Sequence, residues 1–182
     1  LFCDNLYKGY LNLDETIRLG RRPENSMLED MTERDWELFS RAMIDISKTN
    51  VKEVAGKVAL PKNATRMLDL GGSHGQYSIE ISKRNPAMKA VVVDFPAVKK
   101  YADECIAKHS AAGQVSFLAA DFMKDELPPN NDAILAFNII HGLNPAENEQ
   151  LAKKVFRALN PGGIYVILDQ IKGIGGGSQM SK

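Results

Sequence analysis

Two hydrophobic rhythms divide the chain. In the first third, Trp36, Phe39, Met43 and Ile46 recur at near-helical spacing. They follow Thr32-Glu33-Arg34-Asp35, a hydroxyl cap with an acidic first turn. Glu24, Glu29, Asp30, Glu33 and Asp35 precede or open that helix and read as a solvated helix start. From Thr65 onward short apolar runs alternate with longer amphipathic ones. Met67–Leu70, Ala90–Val93, Val115–Ala120, Ala133–Phe137 and Ile164–Leu168 are rich in branched residues, as strands buried on both faces should be.

The connections are long enough for crossover helices. Ala97–His109 places Val98, Tyr101, Ala102, Cys105 and Ile106 on one face. Asn144-Pro145-Ala146-Glu147 is a capping-box start with proline at the first helical position. Leu151, Val155, Phe156 and Leu159 are expected to form that helix's buried stripe, and Asn160-Pro161-Gly162-Gly163 to stop it. Tyr77, Ile79 and Ile81 alternate with period two and would suit a strand. A helix from Gly75 to about Arg84 is expected instead, because parallel neighbours need a crossover. The alternation predicts an α/β fold: a doubly wound, Rossmann-like, mostly parallel sheet with helices at the N-terminal side. In such sheets the ligand lies beyond the carboxyl ends of the strands, so the residues that end them carry the chemistry.

Composition narrows the classes. The 182 residues are 44% hydrophobic and 25% charged, with Lys+Arg and Asp+Glu balanced at 23 each. No basic surplus points to nucleic acid or an anionic membrane, and no apolar run reaches transmembrane length. No signal peptide opens the chain, so the expectation is a cytoplasmic protein with Cys3 and Cys105 as free thiols. The chain starts at Leu1 and ends in a glycine-rich stretch, and residues are expected to be missing at both ends. Three scattered histidines and two distant cysteines match no metal-ligand spacing.

The strand ends are informative together. The first runs Leu68-Asp69-Leu70-Gly71-Gly72-Ser73-His74-Gly75. Its glycines let backbone approach a ligand, and the next helix offers free N–H groups. A dinucleotide fingerprint would need glycine at 71, 73 and 76, but Ser73 and Gln76 stand at the last two. That favours a nucleoside carrying an amino acid over a nicotinamide dinucleotide. The second strand ends in Asp94, spaced to accept both hydroxyls of a ribose. The third ends in Asp121-Phe122-Met123, an acceptor for an adenine amino group beside ring-covering side chains. The fourth ends Phe137-Asn138-Ile139-Ile140-His141-Gly142-Leu143. His141 is an ionisable group facing the expected crevice and able to take a proton from a hydroxyl. His74 belongs to the glycine turn and His109 to a helix end.

At these residues the chain resembles class I S-adenosylmethionine (SAM)-dependent methyltransferases. More narrowly, it resembles the O-methyltransferase family of plant phenylpropanoid, hydroxyindole and bacterial polyketide enzymes. The resemblance rests on LDLGGSHG (68–75), VVVDFPAV (91–98), AADFM (119–123), FNIIHGL (137–143) and LNPGGIYVILD (159–169), and on LDETIRLG (13–20) and the Phe39/Met43 helix upstream.

It implies a helical linker or substrate-wall segment over residues 1–60 and a C-terminally incomplete SAM-binding core over 61–182. It also implies a homodimer in the full-length protein and a small-molecule acceptor. Gly71, Gly72 and Gly75 would flank the methionine part of SAM with Asp69 nearby. Asp94, with Phe95 following it, would hold the ribose, Asp121 and Phe122 the adenine, and Asn138 the cofactor's edge. Phe39 and Met43 would wall the acceptor pocket, and His141 falls on the general-base position; S-adenosylhomocysteine (SAH) would be the product.

Two departures stand out. Ser73 replaces a frequent third glycine, which is tolerable where the residue avoids positive φ. Gly142-Leu143 replaces a frequent Asp-Trp after the base, removing a familiar neighbour. Two other readings stay open: a C- or N-methyltransferase on the same scaffold, and a non-catalytic SAM-binding or dimerisation protein.

Overall fold

A computed structural model of the chain describes residues 13–20 and 31–170. The expectations for Cys3, for Glu24, Glu29 and Asp30, and for the glycine-rich tail lie outside them. Three N-terminal helices come first: α1 (Leu13–Leu19), α2 (Glu33–Ser47) and α3 (Val51–Lys57). Then follow β1 (Arg66–Leu70), α4 (Gln76–Arg84), β2 (Lys89–Asp94), α5 (Lys99–Lys108), β3 (Val115–Ala119), β4 (Asn131–Phe137), α6 (Pro145–Ala158) and β5 (Leu159–Leu168). The predicted cap of α2 forms as a capping box, with Thr32 and Asp35 bonding each other's backbone N–H. Asn144 and Glu147 do the same for α6.

The five described strands form one parallel sheet in the order β3-β2-β1-β4-β5. Period-two alternation sends their side chains into two cores. Met67, Val92 and Leu135 pack with Tyr77, Ile79, Ile81 and Ile106 on one side. Leu68, Leu70, Val93 and Ile134 pack with Phe122, Leu151 and Val155 on the other. Each fully buried aliphatic side chain contributes roughly 1.5–3 kcal/mol, so β1 and β4 anchor the fold. Strand order reverses between them, and a crevice for a ligand opens at such a switch point.

Four expectations are corrected. Burial on both faces holds for β1, β2 and β4, but β3 and β5 are the described edges and stay partly exposed. Phe156 is 80% exposed and lies off the buried stripe of α6, which Leu151, Val155 and Ala158 carry. Ile46 likewise leaves the buried side of α2 at 52% exposed. Leu159 opens β5 rather than ending the helix, and the Asn160–Gly163 stretch is absorbed by a register shift between Asn131 and Ala133. The period-two segment is indeed helix α4. Gln76–Ile79, Ile81 and Ser82 are all buried, and a helix covered on most sides shows no clean 3.6-residue stripe.

Candidate functional site

All five strands run the same way, so their carboxyl ends gather at one edge of the sheet. The turn after β1 is the centre. Gly71 has φ +64, and its N–H donates to the Val93 carbonyl at 2.8 Å. A Cβ on Gly71 would lie 2.2 Å from Ile139 Cδ1 and 3.6 Å from Phe122 Cε1. Backbone from β1 is thus closely flanked by side chains that follow β3 and β4. A Cβ on Gly72 would lie 2.5 Å from the Asp69 carboxyl carbon. Gly75, at φ +71, caps α4 in the left-handed region.

Ser73 does not avoid positive φ, the condition under which serine would replace a glycine freely. It sits at φ +47, a conformation that costs an L-residue roughly 1–2 kcal/mol. Its N–H donates to Asp94 Oδ2 at 2.8 Å, which ties the turn to the end of β2.

Two carboxyls lie under this turn. Asp69 is 1% exposed and accepts from Ser78 Oγ at 2.7 Å. Burial, reinforced by the nearby charge of Asp94, pushes its pKa up to about 7 against that one hydrogen bond. Asp94 Oδ1 accepts from the Phe95 N–H at 2.7 Å. Burial raises its pKa to about 6, opposed by the N–H groups of Phe95 and Ser73. A carboxyl whose folded-state pKa is raised lends stability that is full below its unfolded value near 4 and is lost as pH rises through about 7. Asp69→Asn is therefore expected to gain on the parent protein by about 3 kcal/mol between pH 5 and pH 8. Urea unfolding of the cofactor-free protein at the two pH values checks this; equal differences at both would place the ionisation elsewhere.

At the end of β3 the Asp121 carboxylate makes local contacts. Asp121 Oδ1 accepts from the Met123 N–H at 2.9 Å, and Oδ2 lies 3.3 Å from Lys124 Nζ. Its carboxylate is thus largely engaged by its own turn. Phe122 is buried against the second core and beside Gly71. Asn138 is exposed at φ +57, its N–H bonded to the Leu168 carbonyl at 2.7 Å.

His141 lies in a short 3-10 turn, Ile140–Gly142, with its side chain 56% exposed. Its missing neighbour is supplied from the end of β5. Asp169 Oδ1 lies 2.8 Å from His141 Nδ1, and Oδ2 accepts from the His141 N–H at 3.2 Å. The Asp169 side chain is 1% exposed. Burial draws its pKa upward, but the N–H groups of Gln170 and His141 and the His141 ring hold it below the usual carboxylate value. A carboxylate on Nδ1 places the imidazole proton there and leaves Nε2 as the open acceptor. Sequence reasoning gave Asp169 no role, although LNPGGIYVILD ends on it. The same strand-end rule that singled out Asp94 and Asp121 would have found it.

Helix α2 borders the same edge. Trp36 packs edge-on against Phe39 with centroids 6.2 Å apart and lies 6.4 Å from Phe95. Ser47 Oγ and Gln76 Oε1 are 2.5 Å apart, and Tyr77 OH donates to Asn50 Oδ1 at 2.8 Å. His74 accepts the Gln76 N–H on Nδ1 at 3.1 Å, and burial lowers its pKa to about 4, with the Met43 carbonyl opposing. Phe39 is thus linked to Phe95 through Trp36, and the Met43 carbonyl meets the His74 ring of the glycine turn. No hydrogen bond or ring contact among the described residues joins either of them to His141. The structure does bring together Asp69, Gly71, Gly72, Gly75, Asp94, Phe95 and Phe122, and Ile139, from the segment that carries Asn138 and His141, meets Gly71.

Known proteins share this fold. A naphthoate methyltransferase of Streptomyces sahachiroi, 3-hydroxy-5-methyl-1-naphthoate 3-O-methyltransferase, is 30% identical over 165 residues, covering 87% of this chain and 47% of the relative. L-tyrosine C(3)-methyltransferase of Streptomyces lavendulae is 22% identical over 178 residues, covering 91% and 48%. The solved structure of human N-acetylserotonin methyltransferase in complex with SAM superposes with a TM-score of 0.73 at 23% identity, covering 88% of this chain and 48% of that one. The chain spans about half the length of the curated relatives it matches. Residues 25–182 match the family model for the O-methyltransferase domain, so the chain belongs to that family, whose methyl donor is S-adenosylmethionine.

Proposed function

We propose that the chain serves methyl transfer from SAM to a hydroxyl of a small aromatic molecule. The observation that carries this reading is His141 held on Nδ1 by the covered carboxylate of Asp169. The residues present fit the cofactor. Gly71 and Gly72 offer backbone on which a Cβ would press against Ile139 and the Asp69 carboxyl. Asp94 keeps lone pairs on both oxygens beyond the single N–H that each accepts.

In this reading Gly71, Gly72 and Gly75 flank the methionine part above Asp69. Asp94 accepts from the ribose, Asp121 and Phe122 face the adenine, and Asn138 lies at the edge. SAM supplies a methyl group activated by its sulfonium. Phe39 and Met43 wall the acceptor, and His141 Nε2 takes the proton from its hydroxyl. A phenol with pKa near 10 is not ionised near neutral pH, so a phenolate is not available beforehand. His141 therefore acts as the new bond forms, and Asp169 stabilises the charge that the ring acquires. A homodimeric, cytoplasmic full-length enzyme belongs to the same reading.

A second reading, methyl transfer to carbon, draws support from the tyrosine C-methyltransferase among the relatives. The test is to incubate the intact protein with SAM, 3-hydroxy-5-methyl-1-naphthoate and a panel of simple phenols. Formation of SAH and a methyl ether by mass spectrometry is the expected result, with Asp94→Ala weakening SAM binding in calorimetry. Methyl on carbon would shift the reading to the second. Cofactor binding without turnover across the panel would leave a binding protein.

A further inference from the structure

We infer that Asn148, on helix α6, is a positioning residue for the base: it holds the turn that carries His141 so that the imidazole meets Asp169. This rests on the reading of His141 as the group that takes the acceptor's proton. The imidazole is largely exposed and stands on the short 3-10 turn Ile140–Gly142. The turn's own bonds are few: the Gly142 N–H donates to the Ile139 carbonyl at 3.1 Å, and the Leu143 N–H to the Ile140 carbonyl at 3.3 Å. Gly142 adds no packing, since a Cβ there would have no atom within 4 Å. The side chains of Ile139 and Leu143 pack on the second core, which fixes the flanks but not the backbone between them. Asn148 closes that gap. Its Nδ2 donates to the Ile140 carbonyl at 3.0 Å and to the Leu143 carbonyl at 3.1 Å. One amide thus bridges the residues on either side of His141 and Gly142.

The amide does this against its own local interest. Both partners are carbonyl oxygens, so only the nitrogen end can face them. Asn148 Oδ1 is then left buried with no hydrogen-bond partner, which is unfavourable for an acceptor. Asparagine is also a poorer helix former than leucine or alanine, and Asn148 lies inside α6. The start of that helix does not need it, because Asn144 and Glu147 already form the capping box. An apolar side chain would serve the helix and the core better. What the amide does accomplish is to tie the turn to α6, while Asp169 ties it to the end of β5 through the His141 N–H and Nδ1. Released from Asn148, the turn keeps the Asp169 tie alone, and the ring is free to move off the carboxylate that places its proton on Nδ1.

The experiment compares the intact parent protein with Asn148→Leu, His141→Ala and the double variant, with Asn148→Ala alongside. Leucine keeps the branched shape and lacks the donors; alanine also lacks the bulk. In both Asn148 variants kcat is expected to fall by roughly 10–100-fold, the scale of a small misplacement of a reacting group, while SAH affinity and the KM for SAM stay within about twofold of the parent. In the His141→Ala background Asn148→Leu should change kcat by less than about twofold, since a residue that acts through the base then has nothing to act on. Nitrogen NMR of the neutral imidazole, its signal assigned by loss in His141→Ala, gives a readout independent of turnover. The parent ring should carry its proton on Nδ1, and the Asn148 variants should move toward a mixture of tautomers. Parent-like kcat in Asn148→Leu, an equal loss in both backgrounds, or a tautomer that does not move overturns the inference and leaves the base reading standing. Loss of SAH affinity in both Asn148 variants overturns it as well, because it marks a residue needed for the fold. Parent-like turnover in His141→Ala overturns the base reading and this inference with it.

Discussion

His141→Ala in the intact enzyme is expected to lower kcat by roughly 10²–10⁴-fold, the usual worth of a general base, while SAH affinity stays within about twofold of the parent. The two outcomes separate because the groups that would do the two jobs are physically separate. His141 is tied to Asp169 at the end of β5, whereas the turn that would hold the cofactor is tied to Asp94 at the end of β2. Asp169→Asn sharpens the result. An amide in that place can donate to Nδ1, which moves the imidazole proton to Nε2 and removes the open acceptor. Its kcat should therefore approach that of His141→Ala although the imidazole is intact. Rapid-quench turnover with a methylated-product readout distinguishes the cases. Unchanged turnover in His141→Ala removes the base from the mechanism. A strong effect in His141→Ala with none in Asp169→Asn would mean that the carboxylate does not set the tautomer.

What the sequence disclosed depended on how local the signal was. The sheet could be read because each strand is a short apolar run and strand ends on a parallel sheet share one edge, so Gly71, Asp94, Phe122 and His141 were placed together by order alone. Helix α4 had no readable phase because its neighbours cover most of it, and Tyr77, Ile79 and Ile81 are all buried. Phe156 was misplaced because its spacing from Leu151 and Val155 fits a widened stripe, and spacing does not tell where a stripe stops. The partner of His141 lies 28 residues away and meets it only through strand pairing between β4 and β5. A search confined to adjacent positions, such as Gly142-Leu143, could not reach it. The backbone of Ser73 was left open for a related reason: its N–H is bonded to the Asp94 carboxylate 21 residues away, and its φ of +47 cannot be read from residue type.

Gly72→Ala is expected to be the more damaging of the two substitutions in the glycine turn, although Gly71 is the one with positive φ. At Gly71 an added Cβ meets Ile139 Cδ1, the far end of a flexible side chain that can rotate away. What remains is the left-handed strain, roughly 1–2 kcal/mol. At Gly72 the Cβ meets three atoms of the Asp69 carboxyl at 2.5, 2.6 and 2.9 Å. That carboxyl is 1% exposed and held by Ser78 at 2.7 Å. Making room breaks the hydrogen bond of a buried acid, roughly 1–3 kcal/mol, and overpacks the turn for a similar amount. Together these put the loss at about 4 kcal/mol and displace the backbone that would face the cofactor, so SAH binding should disappear from calorimetry. Adding Asp69→Ala to Gly72→Ala supplies the missing space. The double variant is then expected to be more stable than Gly72→Ala alone, a coupling that independent sites would not show. Urea unfolding of the four proteins in that cycle decides it: additive losses, or a Gly72→Ala milder than Gly71→Ala, would mean that the carboxyl does not support the turn from beneath.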